Sequence, residues 1–346
     1  MSAPTFATRL QAAWLRRGPL AIALWPVSLL FGAVAALRRA LFRAGLTPVE
    51  RLPVPVVVVG NLIVGGAGKT PTTLALVDLL RHHGRTPGIV SRGFGREGDA
   101  VVLVKPDDSA ATAGDEPLLL RLRSRAPVAV GRDRIAAGEA LLAQHPEVDV
   151  ILSDDGLQHL RLGRDAQVIV FDERGAGNGW LLPAGPLREP VTASVPPRSV
   201  VVYNAPAPST PWPGHVARRG LGGVVELAAW RRGEPARLDA LHALRGRALI
   251  AAAGVARPER FFGMLREAGL SITELPLPDH HHFATVPWPA GTANVVVTEK
   301  DAVKLRPEAA AGARVWVATL DFALGPAFEA EFLRLLPPRP QARTPN

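Results

Sequence analysis

With 346 residues, of which 47% are hydrophobic and 21% charged, the chain can bury a large core and lies outside the disordered range of composition. Its formal charge of +9 favours anionic partners such as acidic lipid headgroups or phosphorylated substrates. That charge comes mostly from arginine, which a GC-rich genome also produces, and no nucleic-acid recognition module or basic–aromatic stripe accompanies it, so nucleic acid is not an expected partner. The absence of cysteine excludes disulfides, thiolate metal sites and a cysteine nucleophile.

From Gly18 to Leu37 the chain runs for 20 residues without a charge, bounded by Arg17 and Arg38. As a helix this is about 30 Å long, the hydrocarbon thickness of a bilayer. Pro19 and Pro26 disfavour a straight helix, and arginines flank both ends, so a single span would carry one basic cluster across the membrane. The pattern favours an interfacial or bent membrane-associated helix over a span, with a buried apolar hairpin as the third reading.

Beyond Pro53 the pattern is α/β. The continuous apolar run 54–63 reads as a strand buried on both faces of a parallel sheet, and 70–84 reads as a helix that stops at Gly84. Strand-like runs follow at 86–92, 100–104, 126–131, 148–154, 166–172 and 198–204, with helices beginning near Pro117 and Arg132. This alternation predicts a doubly wound sheet of the P-loop NTPase type. Residues 205–245, rich in proline, glycine and arginine, read as a linker with one short strand pair at most. A second, smaller α/β lobe follows, with strands at 247–255, 272–277, 294–301 and 313–320 and a helix over 258–268. The expected organisation is therefore a membrane-associated segment (1–45), a P-loop core (46–204), the linker (205–245), a second lobe (246–336) and a disordered tail (337–346).

The strongest chemical signal is GNLIVGGAGKTP, Gly60 to Pro71, placed between a buried strand and a helix. Gly65, Gly66 and Gly68 let the backbone turn its N–H groups toward phosphate, with Ala67 among the phosphate-binding loop residues, Lys69 reaches the β/γ-phosphates, and Thr70 offers a hydroxyl to Mg²⁺. The strict pattern has glycine where Ile63 stands. The strand 148–154 ends in Asp154 and Asp155, where a magnesium-facing carboxylate sits in such folds, although DDG is also a common turn. Asp115 and Glu116 open a helical run; they serve either as dipole-complementing acids or as an active-site pair in which one accepts a hydroxyl proton and the other supports magnesium. His280, His281 and His282 follow Asp279, and they read either as solvated loop residues or as a source of one histidine that orients a catalytic carboxylate. SRGFG (91–95) suits an anion contact at a sheet edge. VTEKDAVKL (297–305) either touches a nucleotide base or caps a helix, and the sequence does not separate the two.

Nine segments in order, GNLIVGGAGKTP, SRGFG, GDEP, GRDR, SDDGLQH, LLPAGPLREP, AGVARPERFF, PDHH and TEKDAVK, resemble the tetraacyldisaccharide 4′-kinase family of Gram-negative bacteria from about Leu30 to Leu305. Ala67 stands where that family often has threonine and Phe94 where it commonly has tyrosine; neither exchange removes a phosphate ligand or a proton acceptor. The resemblance implies transfer of the γ-phosphate of ATP to the 4′-hydroxyl of a tetraacylated glucosamine disaccharide 1-phosphate, a lipid-linked substrate of lipid A biosynthesis. It implies that Asp115 is the catalytic aspartate, paired with His280 and assisted by Lys69, while Thr70, Glu116, Asp154 and Asp155 form the metal and phosphate machinery for Mg²⁺ and ATP. It further implies two α/β lobes with an active site in their cleft, at the cytoplasmic face of the inner membrane among its lipids. Two other classes fit the P-loop alone: another P-loop NTPase, GTPase-like or ligase-like, and a membrane-bound nucleotide sensor. The oligomeric state is not legible.

Overall fold

The computed structural model describes residues 6–279 and 281–338. Most of the continuous apolar runs form buried parallel strands, while Val102–Leu103 is a short half-buried strand antiparallel to Val128–Val130. In the first of two units, comprising Met1–Ser91, Asp133–Ala217 and Leu324–Asn346, the strands lie in the order Pro87–Ser91, Val150–Asp154, Val56–Gly60, Ala166–Asp172, Ser199–Asn204 and His215–Val216, each parallel to its neighbour. Val56 to Val59 are fully enclosed, as a central strand covered on both faces requires. Val59 is in register with Asp154, so the glycine-rich loop after Gly60 and the two acids after Ser153 leave the sheet at the same edge.

The N-terminal apolar stretch forms one continuous helix, Pro19–Arg43. Pro19 occupies the first turn, where its missing N–H costs nothing, and Pro26 lies inside the helix without ending it. The helix is long and apolar enough to cross a membrane and is mostly uncovered. Ile22, Trp25, Val27, Leu29, Leu30, Val34 and Leu37 are all exposed. Ala21 and Ser28, two turns apart, are its buried residues. The Ser28 hydroxyl donates to the Leu181 carbonyl at 2.9 Å and accepts the Ala184 N–H at 2.9 Å. A Cβ added at Gly32 would overlap Leu181, so the same face lies directly on the 181–184 segment.

The second unit, Arg92–Arg132 with Arg218–Ala323, holds a five-stranded sheet in the order Ile272–Pro276, Leu249–Ala253, Asn294–Thr298, Arg314–Ala323 and Arg218–Glu226. The first four are parallel and the last is antiparallel. Phe261, Phe262 and Leu265 of the helix Pro258–Glu267 pack onto Leu249, Ala251, Val296 and Trp316.

The unit boundaries differ from the contiguous ones expected. The supposed linker contains a nine-residue edge strand, RRGLGGVVE, in which Val224 and Val225 are the only buried large apolar residues, so its composition reads as a loop. Its pairing with Arg314–Ala323 makes it part of the second sheet. Residues 92–132 also group with the second unit. The helix Pro326–Leu335, expected in the second lobe, belongs to the first. Phe328 and Phe332 are fully buried there, and Glu329 and Glu331 pair with His83 and His215, each at 2.7 Å. Of the expected tail, residues 339–346 lie outside the described residues.

Replacing Ser28 by alanine leaves the buried Ala184 amide without its acceptor. We expect Ser28→Ala to lower unfolding stability by about 1–3 kcal/mol in detergent, measured by chemical denaturation.

Candidate active site

The loop 61–68 is shaped by the groups that bind its carbonyls. Arg174 donates through Nη1 to the Val64 carbonyl (3.2 Å) and through Nη2 to that of Gly66 (3.5 Å), while Nε is anchored on the fully buried Asp172 at 3.0 Å. Asn204 Nδ2 donates to the Ala67 carbonyl at 3.1 Å and Asn61 Nδ2 to that of Gly65 at 3.0 Å. With four successive carbonyls committed, the peptide planes are held in one orientation and the intervening amides are left for a ligand. Gly68 takes φ +100° and caps the helix Lys69–His82; a Cβ there would come within 2.3 Å of Asn204. Ile63, the departure from the strict motif, is fully buried and forms a bridge with Leu187, with Val64 N–H donating to Pro186 O at 2.9 Å. That position has become part of the core, and its φ is not positive, so glycine is not needed there.

Lys69 lies almost enclosed, its ammonium 3.5 Å from Asp155 and 3.4 Å from Asn61 Oδ1. Asp155, at φ +49°, also receives Arg188 at 3.2 Å. Burial opposes its charged form, but Lys69 and then Arg188 outweigh burial and hold its carboxyl below the ordinary value. Asp154 is buried and accepts the Thr73 hydroxyl at 3.0 Å, which ties the strand end to the P-loop helix. Thr70 is half-buried in the first turn of that helix. Arg188 also meets Gln158 (3.2 Å), Gln158 meets Glu189 (3.0 Å), and Glu189 faces Arg39 of the N-terminal helix at 3.8 Å. Arg188, Arg174, Asn204 and Asn61 were not among the expected site residues. Arg188 lies in LLPAGPLREP and was legible only as part of a motif; Asn204 closes a strand that carries no chemical pattern of its own.

In the second unit, Asp115 and Glu116 begin the helix Asp115–Ser124 after Gly114, where φ is +90° and an added Cβ would come within 3.1 Å of the Phe94 carbonyl oxygen, so a side chain is disfavoured. The Asp115 carboxylate lies 3.9 Å from Lys304 and that of Glu116 3.3 Å from Lys300. His280 lies outside the described residues. Its neighbour His281 sets its ring edge-on to Phe283 at 4.7 Å. Arg92 is exposed. Among the described residues no group of three or more His, Cys, Asp or Glu could hold a metal ion by itself.

A parallel sheet that delivers a carbonyl-braced, glycine-rich loop with its lysine onto a helix N-terminus defines a P-loop nucleotide-binding protein. The comparisons make this specific. The model of the tetraacyldisaccharide-1-P 4′-kinase family, LpxK, matches residues 20–337. The tetraacyldisaccharide 4′-kinase of Leptothrix cholodnii is 56% identical over 98% of both chains, and that of Methylibium petroleiphilum is 56% identical over 94% of this chain and 92% of its own. The crystal structure of LpxK from Aquifex aeolicus in complex with ATP superposes with a TM-score of 0.77 at 27% identity, covering 92% of this chain and 99% of that one. The chain belongs to the tetraacyldisaccharide 4′-kinase family.

Two predictions follow from this geometry. Gly68→Ala forces a side chain into Asn204 at an unfavourable φ, and we expect nucleoside triphosphate binding, measured calorimetrically, to weaken at least about tenfold. The second concerns His159, whose Nε2 is buried without a hydrogen-bond partner among the described residues. Burial, and then the Arg134 charge, lower its pKa from 6.5 to about 4. It is therefore neutral when folded, and its contribution is complete above the unfolded value. That contribution is lost as pH falls from 6.5 toward 4, where the unfolded chain takes up the extra proton. Denaturant midpoints should drop more between pH 7 and 4.5 in the parent than in His159→Gln.

Proposed function

We infer that the chain transfers the γ-phosphate of ATP to the 4′-hydroxyl of a tetraacyldisaccharide 1-phosphate, with the nucleotide on the P-loop and Asp115 as proton acceptor. The observation that carries the phosphate side is the Lys69–Asp155–Arg188 cluster beside the braced loop. Family membership and the ATP complex of the Aquifex aeolicus protein support the choice of donor and acceptor.

Phosphoryl transfer needs positioning and charge neutralisation more than covalent help from the protein. The loop amides hold the triphosphate and Lys69 moves from Asp155 to the β- and γ-oxygens, so a cation already ordered is spent on the developing charge. The 4′-oxygen bonds to the γ-phosphorus as the bond from that phosphorus to the β-bridging oxygen breaks; ADP leaves and the hydroxyl proton passes to the Asp115 carboxylate. His280 is assigned the orientation of that carboxylate. The oxygen donors Thr70, Asp154, Asp155 and Glu116 suit Mg²⁺, an ion that takes much of its coordination from phosphates and water and needs no dedicated protein cage. When bound, the ion supplies further neutralisation of the phosphoryl oxygens.

Four acyl chains keep such a substrate in the bilayer, so the enzyme works at a membrane surface. The uncovered apolar residues of the helix Pro19–Arg43 provide the seat, and Arg16, Arg38 and Arg43, all exposed, provide contacts for anionic lipid headgroups. The reading assigns the cytoplasmic face of the inner membrane, where ATP is available.

Detergent-solubilised protein with Mg²⁺, γ-labelled ATP and tetraacyldisaccharide 1-phosphate should label the lipid, and Lys69→Ala should not. Asp115→Ala should cut turnover by about 10²–10⁴-fold while ATP affinity stays near the parent value. Lost ATP binding with undiminished single-turnover chemistry in Asp115→Ala overturns the base assignment.

A further inference from the structure

The segment TEKDAVK, residues 298–304, has no part in the phosphate site, yet it is heavily bonded. The Thr298 hydroxyl accepts the Asp301 N–H at 3.2 Å and donates to Asp301 Oδ2 at 2.7 Å. Gly254 N–H donates to that same oxygen at 3.1 Å, and Lys304 Nζ donates to Oδ1 at 3.2 Å. Asp301 is fully buried and the Lys304 side chain is 3% exposed, with its ammonium 5.5 Å from the centre of the Phe283 ring. The buried Glu299 accepts the Leu320 N–H at 3.1 Å and the Trp230 indole N–H at 3.3 Å. The segment is thus a rigid turn with its own internal bonding.

Three ion pairs run from this turn to one helix, Asp115–Ser124. Glu299 meets Arg123 at 2.9 Å near its C-terminal end. Lys300 meets Glu116 at 3.3 Å and Lys304 meets Asp115 at 3.9 Å at its N-terminal end. Lys300 lies in the short helix Glu299–Ala302 and Lys304 in the turn just beyond it, and both ammonium groups face the same pair of consecutive carboxylates. We propose that TEKDAVK is a clamp on this helix, with Lys304 and Lys300 acting as positioning residues for Asp115 and Glu116.

This inference rests on the reading of Asp115 as the proton acceptor. Stability alone does not account for the arrangement, because a buried Lys–Asp pair is often no more stabilising than apolar residues of similar volume. Its burial also keeps Lys304 from reaching a substrate directly. What a fixed ammonium does is restrict the rotation of the facing carboxylate. Asp301 in turn fixes the ammonium. Acids at a helix start would gain from the dipole without any lysine, so the paired lysines are an additional constraint on where the two carboxylates point.

The test compares full-length enzyme in detergent as Lys304→Met, Asp301→Asn/Lys304→Met, Asp115→Asn and Asp115→Asn/Lys304→Met, measuring kcat, the KM for ATP and thermal unfolding. Lys304→Met should lower kcat about 10–100-fold, the range seen when outer partners of catalytic ligands are removed, with an unchanged KM for ATP. Asp301→Asn/Lys304→Met removes the buried pair together and should recover the thermal stability while staying slow. In the Asp115→Asn background, Lys304→Met should change the residual rate less than about twofold, because a lysine acting through Asp115 has nothing left to position. Parent-like kcat in both lysine variants, beside a slow Asp115→Asn, overturns the clamp and leaves the Asp115 assignment standing. An undiminished loss in the Asp115→Asn background also overturns it, since the lysine would then act on the fold generally. Parent-like kcat in Asp115→Asn overturns the assignment beneath it.

Discussion

The nucleotide site depends on one constraint, the orientation of the peptide planes between Asn61 and Gly68. A loop of this length with three glycines has many conformations, and a phosphate site needs one of them. Here the selection is made from the carbonyl side. Arg174, pinned by the buried Asp172, and Asn204, at the end of a neighbouring strand, bond the carbonyls of Val64, Gly66 and Ala67. Asn61 bonds that of Gly65 and also receives Lys69. These bonds restrict the conformations open to the loop, which lowers the ordering entropy that ligand binding must supply.

From this loop a polar chain extends to the N-terminal helix. Lys69 meets Asp155, Asp155 meets Arg188, Arg188 meets Gln158, Gln158 meets Glu189, and Glu189 faces Arg39. Ser28 fastens the same helix to the Leu181–Ala184 backbone one segment away. The apolar helix and the phosphate loop are therefore held by one stretch, residues 181–189.

The second unit has a different economy. Its carboxylates Asp115 and Glu116 begin a short helix whose next four residues, Pro117 to Leu120, are buried, so packing seats the helix while the paired lysines bear on the two carboxylates. The left-handed Gly114 starts the helix against the Phe94 backbone, which gives SRGFG a structural role in addition to any anion contact.

Much of this was legible in the residues alone. Continuous valine and isoleucine runs bounded by turn residues read as strands covered on both faces, so the parallel strands of the two sheets followed from hydrophobic pattern, and GGAGKT between such a strand and a helix marked the candidate phosphate loop. The uncharged stretch from Gly18 to Leu37 announced its helix in the same way. Sheet membership was not legible where pairing, not composition, makes the strand, as in RRGLGGVVE, or where a helix far along the chain joins the earlier unit through two histidine–glutamate pairs and buried Phe328 and Phe332. The same holds for the partners of the site. Periodicity and local motifs report which residues are chemically able, but Arg174 on the loop carbonyls, Arg188 on Asp155, and Lys304 beside Asp115 lie tens to nearly two hundred residues from what they touch. Only the tertiary fold closes those distances, because the contacts are set by how strands order within a sheet and not by spacing along the chain.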